Sequence, residues 1–206
     1  LCEKTQINVE DIAIGMGLDK RIGSRFLRAG PAYGGSCFPK DTKAIISTAS
    51  KFNTNLSVIK SVVKSNKNRS KLLLNRVFEI FNNKLKNKKI TFLGVTFKAN
   101  TDDMRDSSSL VMIPALTKKG ALIKYYDPTG YKKEFKKNKN VRFINSIKDS
   151  VKGSDLVIIH TDWNDFKSIN FKNFSMGKKF IIYDMRNLYS ASKIKSQGFK
   201  YISVGS

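Results

Sequence analysis

Residues 30–41 place a cysteine among glycines and charged residues, in the sequence Gly-Pro-Ala-Tyr-Gly-Gly-Ser-Cys-Phe-Pro-Lys-Asp. The paired glycines allow tight backbone geometry and close approach of a ligand, and Pro39 suits the first turn of a helix. We therefore expect Cys37 just before a helix N-terminus, where the dipole and the free amides stabilise a thiolate. Lys40 adds a positive charge, and Asp41 is near enough to orient a water or accept a proton. The segment favours an activated thiol nucleophile with a neighbouring base over the buried core cysteine that is usual for a free thiol.

A second polar segment, residues 97–109, has the sequence Phe-Lys-Ala-Asn-Thr-Asp-Asp-Met-Arg-Asp-Ser-Ser-Ser. It follows a predicted strand and opens a predicted helix. Lys98 and Arg105 near a helix N-terminus are suited to a phosphate group. A charged surface loop that pairs with itself accounts for the same residues equally well.

The net charge of +23 makes nucleic acid a partner to consider. Only 8 of the 39 cations are Arg, the residue whose planar fork reads guanine. The lysines are scattered among asparagines, as in residues 82–89 and 132–140, without stacked aromatic residues between them. This pattern favours a solvated surface, so specific nucleic-acid binding is the minority interpretation.

The 206 residues, 40% of them hydrophobic, suffice for one good core or two modest ones. No apolar run reaches the roughly 20 residues that span a bilayer, and we expect no membrane partner. The chain starts at Leu1, and residues 1–10 lack the pattern of a signal peptide, which is compatible with a fragment. Two cysteines, Cys2 and Cys37, are too few to stabilise a domain of this size by disulfides, which favours a reduced, cytoplasmic setting. Cys2 itself is expected in a core.

The organisation of the chain changes once, near residues 82–89. Apolar residues at helical spacing precede this point and predict helices at residues 9–16, 42–51, 56–67 and 70–85. Short apolar runs follow it and predict strands at residues 89–95, 121–126, 141–144, 155–161, 180–184 and 201–204, with a helix at 108–119. The predicted fold class is α/β, with a helical central segment at 1–85 followed by a Rossmann-like, mostly parallel sheet domain at 86–206.

The turn after the first predicted strand, residues 93–98, contains one glycine and no Gly-x-Gly-x-x-Gly. The sheet domain is therefore expected to bind a nucleotide without the usual dinucleotide fingerprint. His160, the single histidine, ends a strand at the expected ligand edge. We assign it no role and expect it to be either hydrogen-bonded or exposed, and we predict no metal site.

The two motifs together closely resemble those of bacterial UDP-glucose 6-dehydrogenases, in the UDP-glucose/GDP-mannose dehydrogenase family. The resemblance spans essentially the whole chain in the right order, and it includes five shorter landmarks, at residues 1–5, 19–23, 126–128, 161–163 and 184–187. It implies a UDP-sugar-binding domain and a homodimer formed through the helical segment. Ser36 and the residues around Phe38 favour UDP-glucose over N-acetylhexosamine and GDP-mannose substrates.

The resemblance also implies a reaction, the NAD-dependent conversion of UDP-glucose to UDP-glucuronate by two oxidations at C6, through a cysteine thiohemiacetal and thioester. Cys37 matches the nucleophile and Asp41 the aspartate that helps to activate water. Lys40 and Arg105 match residues on the NAD side. The residues that match substrate contacts, with Arg21 reaching the substrate of the partner subunit, are Arg21, Phe26, Leu27, Arg28, Ala29, Gly30, Gly34 and Lys98.

Arg186 matches a position near the phosphates. The sequence departs from the family at Ala32, where glycine is common, and at Met185, where the family has Asp-Gly-Arg. Its larger departure is that the family's NAD fingerprint, catalytic lysine and asparagine have no counterpart here. The resemblance therefore implies no NAD-dependent turnover by this chain alone. The alternatives are a catalytically inactive remnant that binds UDP-sugars and, less favoured, a basic nucleic-acid-binding protein.

The charge pattern generates a first prediction. Binding to duplex DNA should be weak and independent of sequence, because it would come only from counterion release. Fluorescence anisotropy with two unrelated duplexes should show this binding lost as salt rises from about 50 to about 200 mM. A preference for one sequence that survives physiological salt would favour the nucleic-acid alternative.

Overall fold

The structure, a computed structural model, describes residues 1–5, 7–175 and 179–205. Four helices occupy the first part of the chain: α1 Cys2–Thr5, α2 Val9–Gly17, α3 Cys37–Lys51 and α4 Ser57–Ile80. Two sequence predictions were wrong here. The helix predicted at 42–51 begins five residues earlier, and the two helices predicted at 56–67 and 70–85 form one continuous helix. Residues 68 and 69 include neither Gly nor Pro, and buried Ser70 and Leu73 continue the packed stripe of α4.

Six strands form one parallel sheet in the described part of the chain. They are β1 Lys89–Leu93, β2 Leu122–Tyr126, β3 Val141–Phe143, β4 Leu156–Ile159, β5 Ile181–Asp184 and β6 Lys200–Ser203. Their order is β3-β2-β1-β4-β5-β6, in which the direction of winding reverses between β1 and β4. This order confirms the predicted α/β class, and ligands of such sheets bind beyond the carboxyl ends of the strands at the reversal point.

The remaining helices cover the two faces of the sheet. They are α5 Ser109–Lys118, α6 Ile147–Val151, α7 Asn164–Lys167, α8 Phe171–Phe174 and α9 Ala191–Ser196, with a 3-10 turn at Lys133–Phe135. None of the helices in the described ranges combines the length and the hydropathy that crossing a bilayer would require.

The core lies on both faces of the sheet, as the continuous apolar runs predict. Leu156 and Ile158 of β4 pack on one face, with α4 and α5, while Val157 and Ile159 pack on the other. The second half of α4 takes part through buried side chains such as Val77, so it shares its core with the sheet. The division of the chain into domains at 1–85 and 86–206 stays a prediction.

The turn after β1 is shaped by the protein's own polar groups. The Val95 and Thr96 amides donate to one carboxylate oxygen of Asp127, at 2.9 and 3.4 Å. Gly94 has φ +75°, and a Cβ there would lie 2.5 Å from the Thr161 Cβ. A residue with a side chain would therefore both strain the backbone and collide with β4's continuation. The chain then runs as a loop from residue 94 to 108 before α5 starts.

Candidate functional site

Cys37 is exposed and is the first residue of α3. The sequence placed it just before the helix, and the structure moves it into the first turn, because the helical backbone already starts at the cysteine. Pro39 lies buried in the same turn, as predicted. The Ser36 hydroxyl is 3.6 Å from the Cys37 sulfur and makes no bond to a helix amide. The thiol therefore lies at the positive end of a 15-residue helix, open to solvent.

The loop before Cys37 is held from one side by α4. The Tyr33 amide donates to Asn66 Oδ1 at 2.9 Å, and Asn66 Nδ2 donates back to the Tyr33 carbonyl at 3.0 Å. One turn further along α4, Arg69 Nε donates to the Gly30 carbonyl at 3.3 Å. Two side chains of one helix thus fix the backbone of the cysteine loop at two points.

The loop is held from the other side by the segment between β1 and α5. The Gly35 amide donates to the Arg105 carbonyl at 2.7 Å. A Cβ on Gly34 would lie 2.6 Å from the Asp106 carbonyl oxygen, and one on Gly35, at φ +84°, would lie 2.7 Å from the Phe97 ring. The sequence attributed these glycines to the approach of a ligand. In the structure their bare backbone faces another part of the protein, which brings the two predicted motifs into contact.

Arg105 forms a two-pronged ion pair with Asp103, with bonds of 2.8 to 3.1 Å. The hydrogen bond from Arg105 is the main cause of the lowered pKa of Asp103. The pKa of Arg105 is raised, first by the hydrogen bond to Asp103, and its side chain is exposed. The segment is therefore partly self-paired, as one of the two sequence interpretations proposed. The Lys98 ammonium lies 5.4 Å from the centre of the Phe97 ring.

Lys40 and Asp41 pair with each other on the outside of α3. The Lys40 ammonium is 3.5 Å from Asp41 Oδ1, and both side chains are largely exposed. Asp41 lies about one helical turn beyond Cys37, within the distance that a bridging water could span.

A cavity of about 470 Å³ lies beside the Tyr33–Asn66 contact, and both of these residues line it. Three of the residues that line it are arginines: Arg28 on the loop, Arg69 on α4 and Arg186 after β5. The Arg186 side chain is 15% exposed and donates to the carbonyls of His160 and Phe97, at 2.9 and 2.8 Å. Its burial is the main cause of its lowered pKa. This cluster makes the cavity strongly cationic.

Apart from Lys40 and Asp41, which pair with each other on α3, the predicted site residues fall into three groups. Cys37, Gly34 and Arg105 meet at the junction of the two motifs, and Arg28 and Gly30 meet at the arginine cavity. Others do not line the cavity: Phe26 is 93% exposed, Ala29 packs against the core between Arg28 and Gly30, and Arg21 forms an exposed pair with Asp19. Leu27 is half-buried and Lys98 exposed. Of the two departures from the family, Ala32 lines the cavity, whereas Met185 is fully buried in the core.

Sequence reasoning missed Asn66 and Arg69, and it gave His160 no role. His160 is fully buried, and its Nε2 lies 2.8 Å from the Ser108 hydroxyl. Its Nδ1 lies 3.1 Å from the Thr161 hydroxyl, which donates to the Thr96 carbonyl at 2.8 Å. Because the Thr161 hydroxyl donates its proton to the Thr96 carbonyl, it can only accept from His160, so Nδ1 carries the hydrogen. His160 Nε2 then accepts from the Ser108 hydroxyl. Of the two states expected for this histidine, the hydrogen-bonded one is found.

The residues after β1 do not fit NAD. A dinucleotide needs free backbone amides in this turn and at the start of the following helix. Here Asp127 accepts from the turn amides, while the amides of Ser109 and Leu110 donate to the Ser107 hydroxyl and carbonyl. The protein itself therefore occupies the donors that a diphosphate of NAD would require.

These features define a class of protein, namely a doubly wound parallel sheet joined to helices that carry an exposed cysteine near a cavity rich in arginine. Comparison with known families gives the particular one. The sequence model of the UDP-glucose/GDP-mannose dehydrogenase family, central domain, matches residues 1–68, and that of the family's UDP binding domain matches residues 91–191. Together the two matches cover more than three quarters of the chain. The chain belongs to the UDP-glucose/GDP-mannose dehydrogenase family.

Relatives and solved structures agree with this assignment. The chain is 40% identical over 206 residues to a UDP-glucose 6-dehydrogenase of Rhizobium meliloti, covering 100% of the chain and 47% of the relative. It is 39% identical to UDP-glucose 6-dehydrogenase YwqF of Bacillus subtilis, with the same coverage. A UDP-glucose dehydrogenase structure from Pyrobaculum islandicum superposes with a TM-score of 0.82 at 25% identity, over 97% of the chain and 44% of that structure. The chain thus spans about half the length of the relatives that it matches.

The buried histidine generates the second prediction. Burial, and to a lesser degree Arg186, lowers the pKa of His160 from 6.5 to about 3. Between these values only the unfolded chain binds the proton, so the stability that neutral His160 contributes is present above pH 6.5 and is lost as pH falls. Urea unfolding should show a free energy of unfolding about 2 kcal/mol lower at pH 5 than at pH 7.

His160→Gln is the comparison variant. It should be less stable at pH 7 but should lose much less stability between pH 7 and pH 5. Asp184, whose pKa is raised by burial, contributes to both proteins alike. Equal pH dependence in the two proteins would contradict the account of His160.

Proposed function

We propose that this chain is the nucleophile-bearing and UDP-sugar-binding part of an NAD-dependent UDP-glucose 6-dehydrogenase, which converts UDP-glucose to UDP-glucuronate. One observation carries the proposal. The exposed Cys37 thiol begins a helix at the end of the same loop whose other end, at Arg28 and Gly30, lines a cavity rich in arginine. A nucleotide sugar held by its phosphates in that cavity could extend its sugar along the loop towards the sulfur.

The proposed roles follow from chemistry and position. Arg28 and Arg186 bind the diphosphate, because guanidinium forks match phosphate oxygens. The Cys37 thiolate adds to the C6 aldehyde, forming a carbon–sulfur bond while the carbonyl oxygen takes up a proton. Water later attacks the C6 thioester, Asp41 accepts the proton of that water, and the thiolate leaves with its electron pair. Lys40 and Arg105 keep the thiolate and the nearby negative charges stabilised.

The two oxidations at C6 also need a hydride acceptor, which is NAD in the proposed enzyme. The turn after β1 does not fit NAD, so we propose that another part of the protein binds it. The same turn is equally compatible with a second candidate, an inactive remnant that binds UDP-sugars. Both candidates bind UDP, and they differ only in the chemistry at Cys37.

The proposed enzyme is a homodimer formed through the helical segment. Three apolar side chains of α2, Ile12, Ile14 and Met16, are 41 to 64% exposed, which supports a buried role for this helix in an assembly. Arg21 follows α2, and its side chain donates to the Asp19 carboxylate in bonds of 2.6 to 3.2 Å. The Arg21 side chain is 90% exposed, and this exposure supports its proposed contact with the substrate of the partner subunit.

The third prediction concerns Cys37 in the complete enzyme. Cys37→Ser should cripple overall turnover, and any acyl-enzyme should be an ester that hydrolyses slowly and accumulates, because a serine is the poorer nucleophile and leaving group. Cys37→Ala should leave no covalent adduct. Steady-state rates with intact-mass spectrometry measure both effects.

Cys2→Ala is the matched control, since it removes the other cysteine, which is half-buried in α1. It should keep the wild-type rate within a few-fold. If Cys37→Ala also oxidised UDP-glucose to the acid within a few-fold of wild type, the nucleophile assignment would fail and a different chemistry at C6 would have to replace it.

A further inference from the structure

Arg69 lies on α4, a helix that carries none of the predicted substrate residues. Its side chain is half-buried and lines the same cavity as Arg28 and Arg186. The bond from Arg69 Nε to the Gly30 carbonyl, 3.3 Å long, sets the direction of the guanidinium. A guanidinium has five N–H donors, and that bond uses one of them. In the described ranges the hydrogen bonds found for Arg69 do not involve its two terminal nitrogens.

The three arginines are poorly compensated by carboxylates. Asp162 lies 3.9 Å from Arg186 Nε, and in the part of the chain that the structure describes no ion pair of Arg28 or Arg69 is found. Like charges gathered around one partly enclosed cavity repel one another, and solvent screens a half-buried group only in part. A bound anion with two or more negative charges would offset that cost, and its oxygens would satisfy the free donors.

We propose that Arg69 binds the diphosphate of the nucleoside diphosphate held in this cavity, as a third arginine beside Arg28 and Arg186. The inference rests on the proposed function and adds to it a ligand from α4. Since the same side chain holds the Gly30 carbonyl, Arg69 couples the occupancy of the diphosphate position to the conformation of the loop that leads to Cys37. The cavity volume of about 470 Å³ is within the range of small-ligand sites.

The fourth prediction tests this role on the purified 206-residue chain by calorimetric titration with UDP and with uridine. Arg69→Gln keeps an N–H donor where Nε bonds the Gly30 carbonyl but lacks the charge and the terminal nitrogens. It should weaken UDP binding about tenfold, the usual order for one charge-assisted contact. Uridine affinity, measured by displacement, should change less than about twofold, because uridine has no phosphate. The UDP affinity of Arg69→Lys should lie between those of the wild type and of Arg69→Gln, since lysine retains the charge but lacks the planar fork of donors.

Arg142→Gln is the control for net charge, because Arg142 is exposed on β3, at the edge of the sheet. It should bind UDP as the wild type does. Equal losses of UDP and uridine affinity in Arg69→Gln would assign Arg69 a purely structural role on the loop and would overturn the inference. Unchanged UDP binding would overturn it as well. A wild-type chain that failed to bind UDP would overturn the proposed function together with the inference.

Discussion

The contact between Gly34–Gly35 and the segment after β1 is the constraint on which the rest of the site depends. Cys37 belongs to the helical half of the chain, whereas the nucleotide edge belongs to the sheet, and at this contact the two meet with less room than one methyl group needs. The hydrogen bond from the Gly35 amide to the Arg105 carbonyl fixes their register. Because Asn66 and Arg69 hold the same loop from α4, the thiol has a defined position relative to the arginine cavity. Such placement by packed, hydrogen-bonded elements is what covalent chemistry at a single carbon requires.

Beneath this contact lies a buried polar layer that shapes the carboxyl edge of the sheet. Arg186 joins the carbonyls at the ends of β4 and of the β1 turn, and His160 links α5 to the Thr161–Thr96 pair. Arg186, His160 and Thr161 each have hydrogen-bond partners, which is the condition under which buried polar groups rigidify a fold instead of destabilising it. The same internal pairing of polar groups explains why the turn after β1 does not bind a dinucleotide, although the sheet has the usual doubly wound strand order. Asp127 and Ser107 have taken the amides that the cofactor would need.

The sequence predicted the parallel sheet, the change of organisation near residues 82–89 and the two segments that meet at Cys37, because period, glycine placement and strand length are local signals. It could not predict that α4 is continuous, since that depends on packing against the sheet. Asn66 and Arg69 were missed for a similar reason: in the polar run Ser65 to Ser70 they look like solvent-facing helix positions, and only the fold brings the loop onto them. The sequence identified the glycine pair as a place of close approach. It could not show that Phe97 and Asp106 pack against these glycines where a ligand was expected, because that contact depends on the tertiary structure.

The most direct measurement is UDP affinity together with the rate of Cys37 alkylation by iodoacetamide in Gly34→Ala, with Gly15→Ala as the control. The added methyl group would lie 2.6 Å from the Asp106 carbonyl oxygen at residue 34, whereas at residue 15, inside α2, it meets nothing within 4 Å. The account predicts that Gly34→Ala weakens UDP binding at least about tenfold, which corresponds to about 1.4 kcal/mol, and alters the alkylation rate, while Gly15→Ala matches the wild type. Wild-type UDP affinity and thiol reactivity in a folded Gly34→Ala protein would contradict it.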